Sequence, residues 1–176
     1  DEVVYALISG PPAFFASMAT VTDQMFSEPQ SMSGPVSNHA PAISFFETVF
    51  DLKVVYKYGI GDETFRDLVG TQAKRFNLTA VNVGLSTQTP YFGLIHYGMP
   101  KGSYGSLFDT CVPPHRGILG ATLVVNSAAD VAVRAQRQGS AILAPVCEVD
   151  LPGFGRARTV LVKGANGGCY RAVEVL

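Results

Sequence analysis

Hydrophobic and polar positions alternate with a period of two over several short stretches of this chain, and with a helical period over two longer ones. "DEVVYALISG" reads as a strand that ends at Gly10-Pro11-Pro12. "AFFASMATVT" reads as a second strand, with Phe15, Ser17, Ala19 and Val21 alternating against Phe14, Ala16, Met18 and Thr20. Residues 24–40, "QMFSEPQSMSGPVSNHA", show no period and read as a long loop, either a binding loop that uses Met25, Phe26 and Met32 or a plain surface loop. "APAISFFETVFD" predicts a helix. Asn38 suits its cap and Pro41 its first turn, while Ile43, Phe46 and Phe50 line one face with Phe45 and Val49 beside them. "LKVVYKYGI" follows as a strand, then "GDETFRDLVG" as one or two helical turns. "FNLTAVNVG" and "YFGLIHYGM" are strands joined by the turn-like "LSTQTP", and residues 99–117, rich in Gly, Pro and Ser, read as a linker.

Past that linker the order repeats. "GILGATLVVN" is a strand, and Ser127 caps a helix through "AADVAVRAQRQG", with Asp130 as its capping-box partner and Gly139 as its stop. "SAILAPVCEV", "RARTVLVKG" and "GCYRAVEVL" are three further strands. Each half therefore reads strand–helix–strand–strand–strand. Four strands and one helix close a core poorly on their own, so two such units are expected to pack together.

Composition narrows the function classes. Of the 176 residues 47% are hydrophobic and 15% charged, which supplies a real core and gives no case for disorder. The formal net charge of −1 gives no field that would draw nucleic acid or an acidic membrane, and the cationic residues are scattered. No segment approaches the roughly 18–20 continuous apolar residues of a membrane helix. Cys111, Cys147 and Cys169 include no C-x-x-C pair and are odd in number, so reduced thiols in a cytoplasmic protein are expected. Phosphate-cradle, nucleophile-elbow and H-E-x-x-H motifs do not occur in the sequence.

Within "YFGLIHYGMP" a histidine interrupts an apolar strand. A period of two puts Phe92, Leu94 and His96 on one face, with Tyr91, Gly93, Ile95 and Tyr97 on the other. His96 thus shares its side with two large apolar groups, which suits a ligand-binding wall and equally a satisfied core histidine. His39 at the helix entry and His115 in the linker read as solvated or capping residues.

The paired βαβββ order resembles the vicinal oxygen chelate superfamily, which includes glyoxalase I, bleomycin-resistance proteins and extradiol dioxygenases. "AISFFETVFDLKVVYKYGI" is similar to that family's helix and second strand, and "GATLVVNSAADVAVRAQRQGSAILAPV" to the opening of its second module. "VLVKGANGGCYRAVEV" is similar to its closing hairpin and strand, although Gly164 and Ala165 replace the usual Asp-Pro. The resemblance spans roughly residues 13–176. It implies an α+β fold in which paired βαβββ modules form a mixed, curved sheet around a cleft. The first module is then residues 13–100, the linker 101–117 and the second module 118–176. Residues 1–12 form an extra strand, read either as the closing strand of a preceding module or as a plain edge strand; the chain opens on Asp1, which also fits part of a longer protein.

Metal-binding members of the superfamily carry one ligand on the first strand and one on the last strand of each module. Those positions fall here near Ala16, on His96, near Gly120 and on Arg171. Ala and Gly offer no side-chain donor and arginine repels a cation, so no metal and no cofactor are expected. A metal would need a different strand register that brings in Asp23, His115 or Glu174.

If His96 and Arg171 occupy equivalent positions, both face one cavity, where Arg171 fixes a ligand anion and His96 moves a proton or donates a hydrogen bond. A snorkelled surface arginine is the plain alternative for Arg171. The resemblance thus implies a metal-independent protein that binds a small aromatic or anionic organic molecule, with Phe92, Leu94, His96 and Arg171 as ligand-binding residues. If it is an enzyme, it runs isomerase or lyase proton transfer through His96 and Arg171. Two alternatives stand beside that reading: a drug-sequestering protein of the bleomycin-resistance type, and the C-terminal part of a metal-dependent dioxygenase or glyoxalase-type lyase. A homodimer is the expected assembly, with no nucleic-acid or membrane partner.

Overall fold

The computed structural model describes residues 21, 23–25, 31–61, 78–86, 91–98 and 120–176. The first two expected strands (apart from Val21), the turns after Gly61 and the linker all lie outside these residues. The chain is α+β, built as two βαβββ modules. In chain order these are β1 (Ser31–Pro35), α1 (His39–Phe50), β2 (Lys53–Ile60), β3 (Leu78–Gly84) and β4 (Tyr91–His96), then β5 (Thr122–Val124), α2 (Ala128–Arg137), β6 (Ile142–Leu151), β7 (Gly155–Lys163) and β8 (Cys169–Val175). The strands form two mixed four-stranded sheets, ordered β1-β4-β3-β2 and β5-β8-β7-β6, with β1 parallel to β4 and β5 parallel to β8. No helix among the described residues is long and apolar enough to cross a membrane.

One element corrects the sequence reading. The opening strand of the first sheet lies inside the stretch expected to be loop, because Ser31–Pro35 pairs in register with Tyr91–Ile95. "SMSGP" has no alternation and no β-branched residue, so nothing local announces a strand; the ladder to β4 imposes it. In the second half β5 is shorter than expected, at Thr122–Val124. Just before it, Gly120 runs so close to the Cys169 backbone that a β-carbon there would overlap the Cys169 carbonyl.

By its contacts the chain divides into two compact units. One joins Ala40–Asp51 to the described part of Gly102–Leu176, and the other joins residues up to His39 to Leu52–Lys101. In the first unit α1 buries Ala42, Phe45, Phe46, Val49 and Phe50, a stripe at helical spacing that leaves Ile43 half-buried at its margin. Tyr170 of β8, 1% exposed, meets that stripe, with ring centroids 5.5 Å from Phe45, 5.0 Å from Phe46 and 6.4 Å from Phe50. Such aromatic pairs add about 0.5–1.5 kcal/mol each beyond their burial. The Tyr170 hydroxyl accepts a hydrogen bond from Asn166 Nδ2 at 2.8 Å, so the ring is buried without stranding its polar end. Arg134 Nε donates to the Val49 carbonyl at 2.9 Å and ties α2 to the end of α1. Helix α1 stops at Asp51, whose φ of 56° is the left-handed turn that Asp tolerates better than most side chains. Helix α2 begins as expected: Ser127 Oγ accepts from Asp130 N at 3.1 Å, and Gly139 ends it at φ 79°.

Candidate functional site

The two halves end their parallel pairs in the same way, and this sets their internal correspondence. Val36 N donates to the Ile95 carbonyl, and Val125 N donates to the Val173 carbonyl. Counting back along each ladder, Ser33 opposite Gly93 corresponds to Thr122 opposite Arg171. Counting forward by one, His96 corresponds to Glu174. By this count His96 and Arg171 are three register positions apart, and an odd offset exchanges the faces of a strand.

The contacts agree with that register. Along β8, Tyr170 and Glu174 share a face: Tyr170 packs on α1, and Glu174 Oε2 accepts from Ala128 N, the first residue of α2, at 2.9 Å. Along β4, His96 likewise reaches the start of a helix. Its ring lies 5.8 Å from that of His39, the first residue of α1, and His39 Nε2 donates to the Leu94 carbonyl at 3.1 Å. His96 Nδ1 accepts from Gly98 N at 3.1 Å. Leu94 is fully buried, Phe92 and His96 are half-buried, and Arg171 is exposed on the opposite face of β8 from Tyr170.

On the Gly93 side of the first sheet a polar row crosses all four strands. Ser33 on β1 pairs with Gly93 on β4, Gly93 with Asn82 on β3, and Asn82 with Tyr56 on β2. Asn82 is 2% exposed, and its Nδ2 has no hydrogen-bond partner among the described residues. A buried amide N–H left unpaired costs about 1–3 kcal/mol, and asparagine is a poor strand residue to begin with. Gly93 beside it is a place of close approach: Ser33 Oγ and Asn82 Oδ1 lie 2.5 Å and 3.2 Å from the point where a Gly93 β-carbon would stand, so the two polar side chains crowd over its backbone. Two unfavourable choices at adjoining positions, with exposed Ser33 and Tyr56 at the ends of the row, make this row the candidate site.

Sequence reasoning did not single out Ser33 or Asn82, nor give Gly93 a role. Its signals were a lone Asn in "TAVNVG" and a lone Gly in "YFGLIH"; only the register brings them together. The other unit holds a shallow depression of about 510 Å³ between the first turn of α1 and the β7–β8 hairpin, lined in part by Ser44, Gln138, Ser140 and Lys163. It is open to solvent and would bury little of a ligand.

Ser33 and Gly93 in the first sheet, and Thr122 and Arg171 at the corresponding register of the second, include no imidazole or carboxylate, the side chains that bind divalent transition metals best. Among the described residues no group of three or more His, Cys, Asp or Glu could hold a metal ion. Both carboxylate oxygens of Glu174 are engaged, Oε2 by Ala128 N and Oε1 by Arg158 at 2.9 Å.

Solved structures share this architecture. A glyoxalase family protein from Bacillus cereus matches with a TM-score of 0.71 at 16% identity, over 89% of this chain and 99% of that one. Glyoxalase I from Zea mays matches with a TM-score of 0.55 at 14% identity, over 83% of this chain and 46% of the maize enzyme, so the chain spans about half of its length. A virulence protein from Salmonella typhimurium matches with a TM-score of 0.51 at 13% identity, over 87% of this chain and 100% of that one. No protein-family model matches the chain, and no curated protein sequence matches it significantly. At these identities the likeness establishes the fold, which is that of glyoxalase and the vicinal oxygen chelate superfamily.

Proposed function

We propose that this glyoxalase-like protein binds a small organic molecule over the Ser33–Gly93–Asn82–Tyr56 row, without a metal. One observation carries the proposal: Asn82 Nδ2 is buried and unpaired, a donor whose desolvation is offset when a ligand oxygen accepts from it. The Ser33 hydroxyl, which stands close over Gly93, supplies a second polar contact. Arg171, exposed on the second sheet, stands outside this row. His96, on the other face of β4 from Gly93, is not part of the proposed contact.

A thermal-shift screen against phenolic acids, aromatic amides and hydrophobic antibiotics finds the ligand, and titration of variants with the strongest hit tests the site. Asn82→Leu abolishes binding, and His96→Ala leaves binding unchanged. Unaltered affinity in Asn82→Leu overturns the proposal. Product analysis by mass after incubation with the hit separates an enzyme from a sequestering protein.

A further inference from the structure

We propose that Asn166, in the hairpin between β7 and β8, is a deamidation site that reacts only while the hairpin is open, and that the modified turn no longer closes around Tyr170. Asn166 is the one asparagine of the chain that precedes a glycine. An asparagine amide is open to attack by the backbone nitrogen of the next residue, and glycine presents that nitrogen with no side chain to shield it. The Gly167 nitrogen bonds to Asn166 Cγ, the Cγ–Nδ2 bond breaks, and ammonia leaves with the Gly167 amide proton. Water then adds to either carbonyl of the cyclic imide and opens it, to aspartate or to isoaspartate.

In the closed hairpin every group that takes part is held. Gly167 N, the nucleophile, donates to the Gly164 carbonyl at 2.9 Å, with Gly167 at φ 89°. Asn166 Nδ2, the leaving nitrogen, donates to the Tyr170 hydroxyl at 2.8 Å, and Asn166 Oδ1 accepts from Gly168 N at 3.2 Å. The amide is therefore fixed at both ends, and its attacker is engaged elsewhere. These bonds let go together when the Gly164 N to Gly168 carbonyl bond, 2.7 Å long, opens the turn.

The closed turn has no slack for the product. A β-carbon at Gly164 would stand 2.5 Å from the Tyr170 ring and 2.9 Å from Asn166 Oδ1, and one at Gly168 would stand 3.0 Å from the Tyr170 hydroxyl. Isoaspartate adds a methylene to the main chain here, and either product replaces the amide donor with a carboxylate that only accepts. Tyr170 is the ring against which Phe45, Phe46 and Phe50 of α1 pack, so a turn that cannot close loosens the aromatic core of this unit.

The test incubates the protein in mildly alkaline buffer and in concentrated urea, and follows aspartate and isoaspartate at position 166 by peptide mapping. Conversion is expected to run at least about tenfold faster in urea, because the open hairpin is a minor population of the folded protein. Tyr170→Phe, which releases Nδ2, speeds conversion in buffer and leaves the rate in urea unchanged. Equal wild-type rates in buffer and urea overturn the gating, and no conversion in urea overturns the site. The modified and unmodified fractions of the urea incubation, separated by charge, are then returned to buffer. The unmodified fraction regains the starting melting temperature and the modified fraction melts lower; identical melting curves overturn the claim that the turn stays open.

Discussion

Asn82 and Gly93 stand directly opposite one another on β3 and β4, the two central strands of the first sheet, so a buried unpaired amide faces a residue with no side chain. For a sheet designed only to be stable, this is the wrong pair. Leucine at position 82 would remove the stranded N–H at similar volume. Asn82→Leu is therefore expected to stabilise the protein by about 1–3 kcal/mol in denaturant unfolding while losing ligand binding. A variant less stable than the wild type would show that Asn82 has a partner that matters to the fold.

Two glycines separate a functional requirement from a structural one. A β-carbon at Gly93 meets the Ser33 hydroxyl, which can rotate away, while one at Gly120 meets the Cys169 backbone, which cannot. Gly93→Ala should cost about 1 kcal/mol of stability, and Gly120→Ala about 3 kcal/mol or more. Gly93→Ala should nevertheless weaken ligand binding, whereas any loss of binding in Gly120→Ala should follow its loss of folded protein. Melting curves recorded beside ligand titrations compare the two.

Tyr170 links the aromatic face of α1 to β8, and burial pushes its phenol up from the usual 10.0 to about 12, with the Asn166 hydrogen bond opposing part of the rise. Below pH 10 the phenol is protonated in both the folded and unfolded chain. Between about 10 and 12 the unfolded chain gives up the proton and the folded one keeps it, so stability falls as pH rises through that window. Tyr170→Phe should flatten this alkaline loss while costing about 1 kcal/mol at neutral pH for the missing hydrogen bond. Equal slopes in the two proteins would remove Tyr170 as the cause.

Glu148 answers to the opposite limb. Hydrogen bonds from Arg156 and Arg158, at 2.8 Å and 2.9 Å, hold its carboxyl below the usual 4.5. A carboxyl lowered in the folded state adds stability above its ordinary pKa, and that stability is lost as pH falls through the folded value. Because the pair is exposed, the effect is small and screened by salt. Arg158→Met, which also releases Glu174, should reduce the loss of melting temperature between pH 6 and pH 3; an unchanged loss would assign the acid sensitivity elsewhere.

Much of the architecture was legible along the chain because it repeats local patterns twice. The Ser127 cap, the Gly139 stop and the apolar stripe of α1 each act within one or two helical turns, so neighbouring residues suffice to predict them. Strand β1 was not legible, since "SMSGP" owes its conformation to Tyr91–Ile95, about sixty residues away. The register of the candidate residues was hidden for the same reason. His96 and Arg171 stood out by residue type, but the correspondence of the two halves depended on register, and a shift by an odd number of residues exchanges the two faces of a strand.

The sequence by itself determined the element order, the amphipathic faces and the chemistry available at each position, because these depend on side chains and near neighbours. Tertiary structure alone decided which strand edges meet and in what register, and so that Asn82 is stranded opposite Gly93 while His96 turns toward the start of a helix. Hydrogen-bonded ladders between distant segments carry that information, and no local periodicity encodes it.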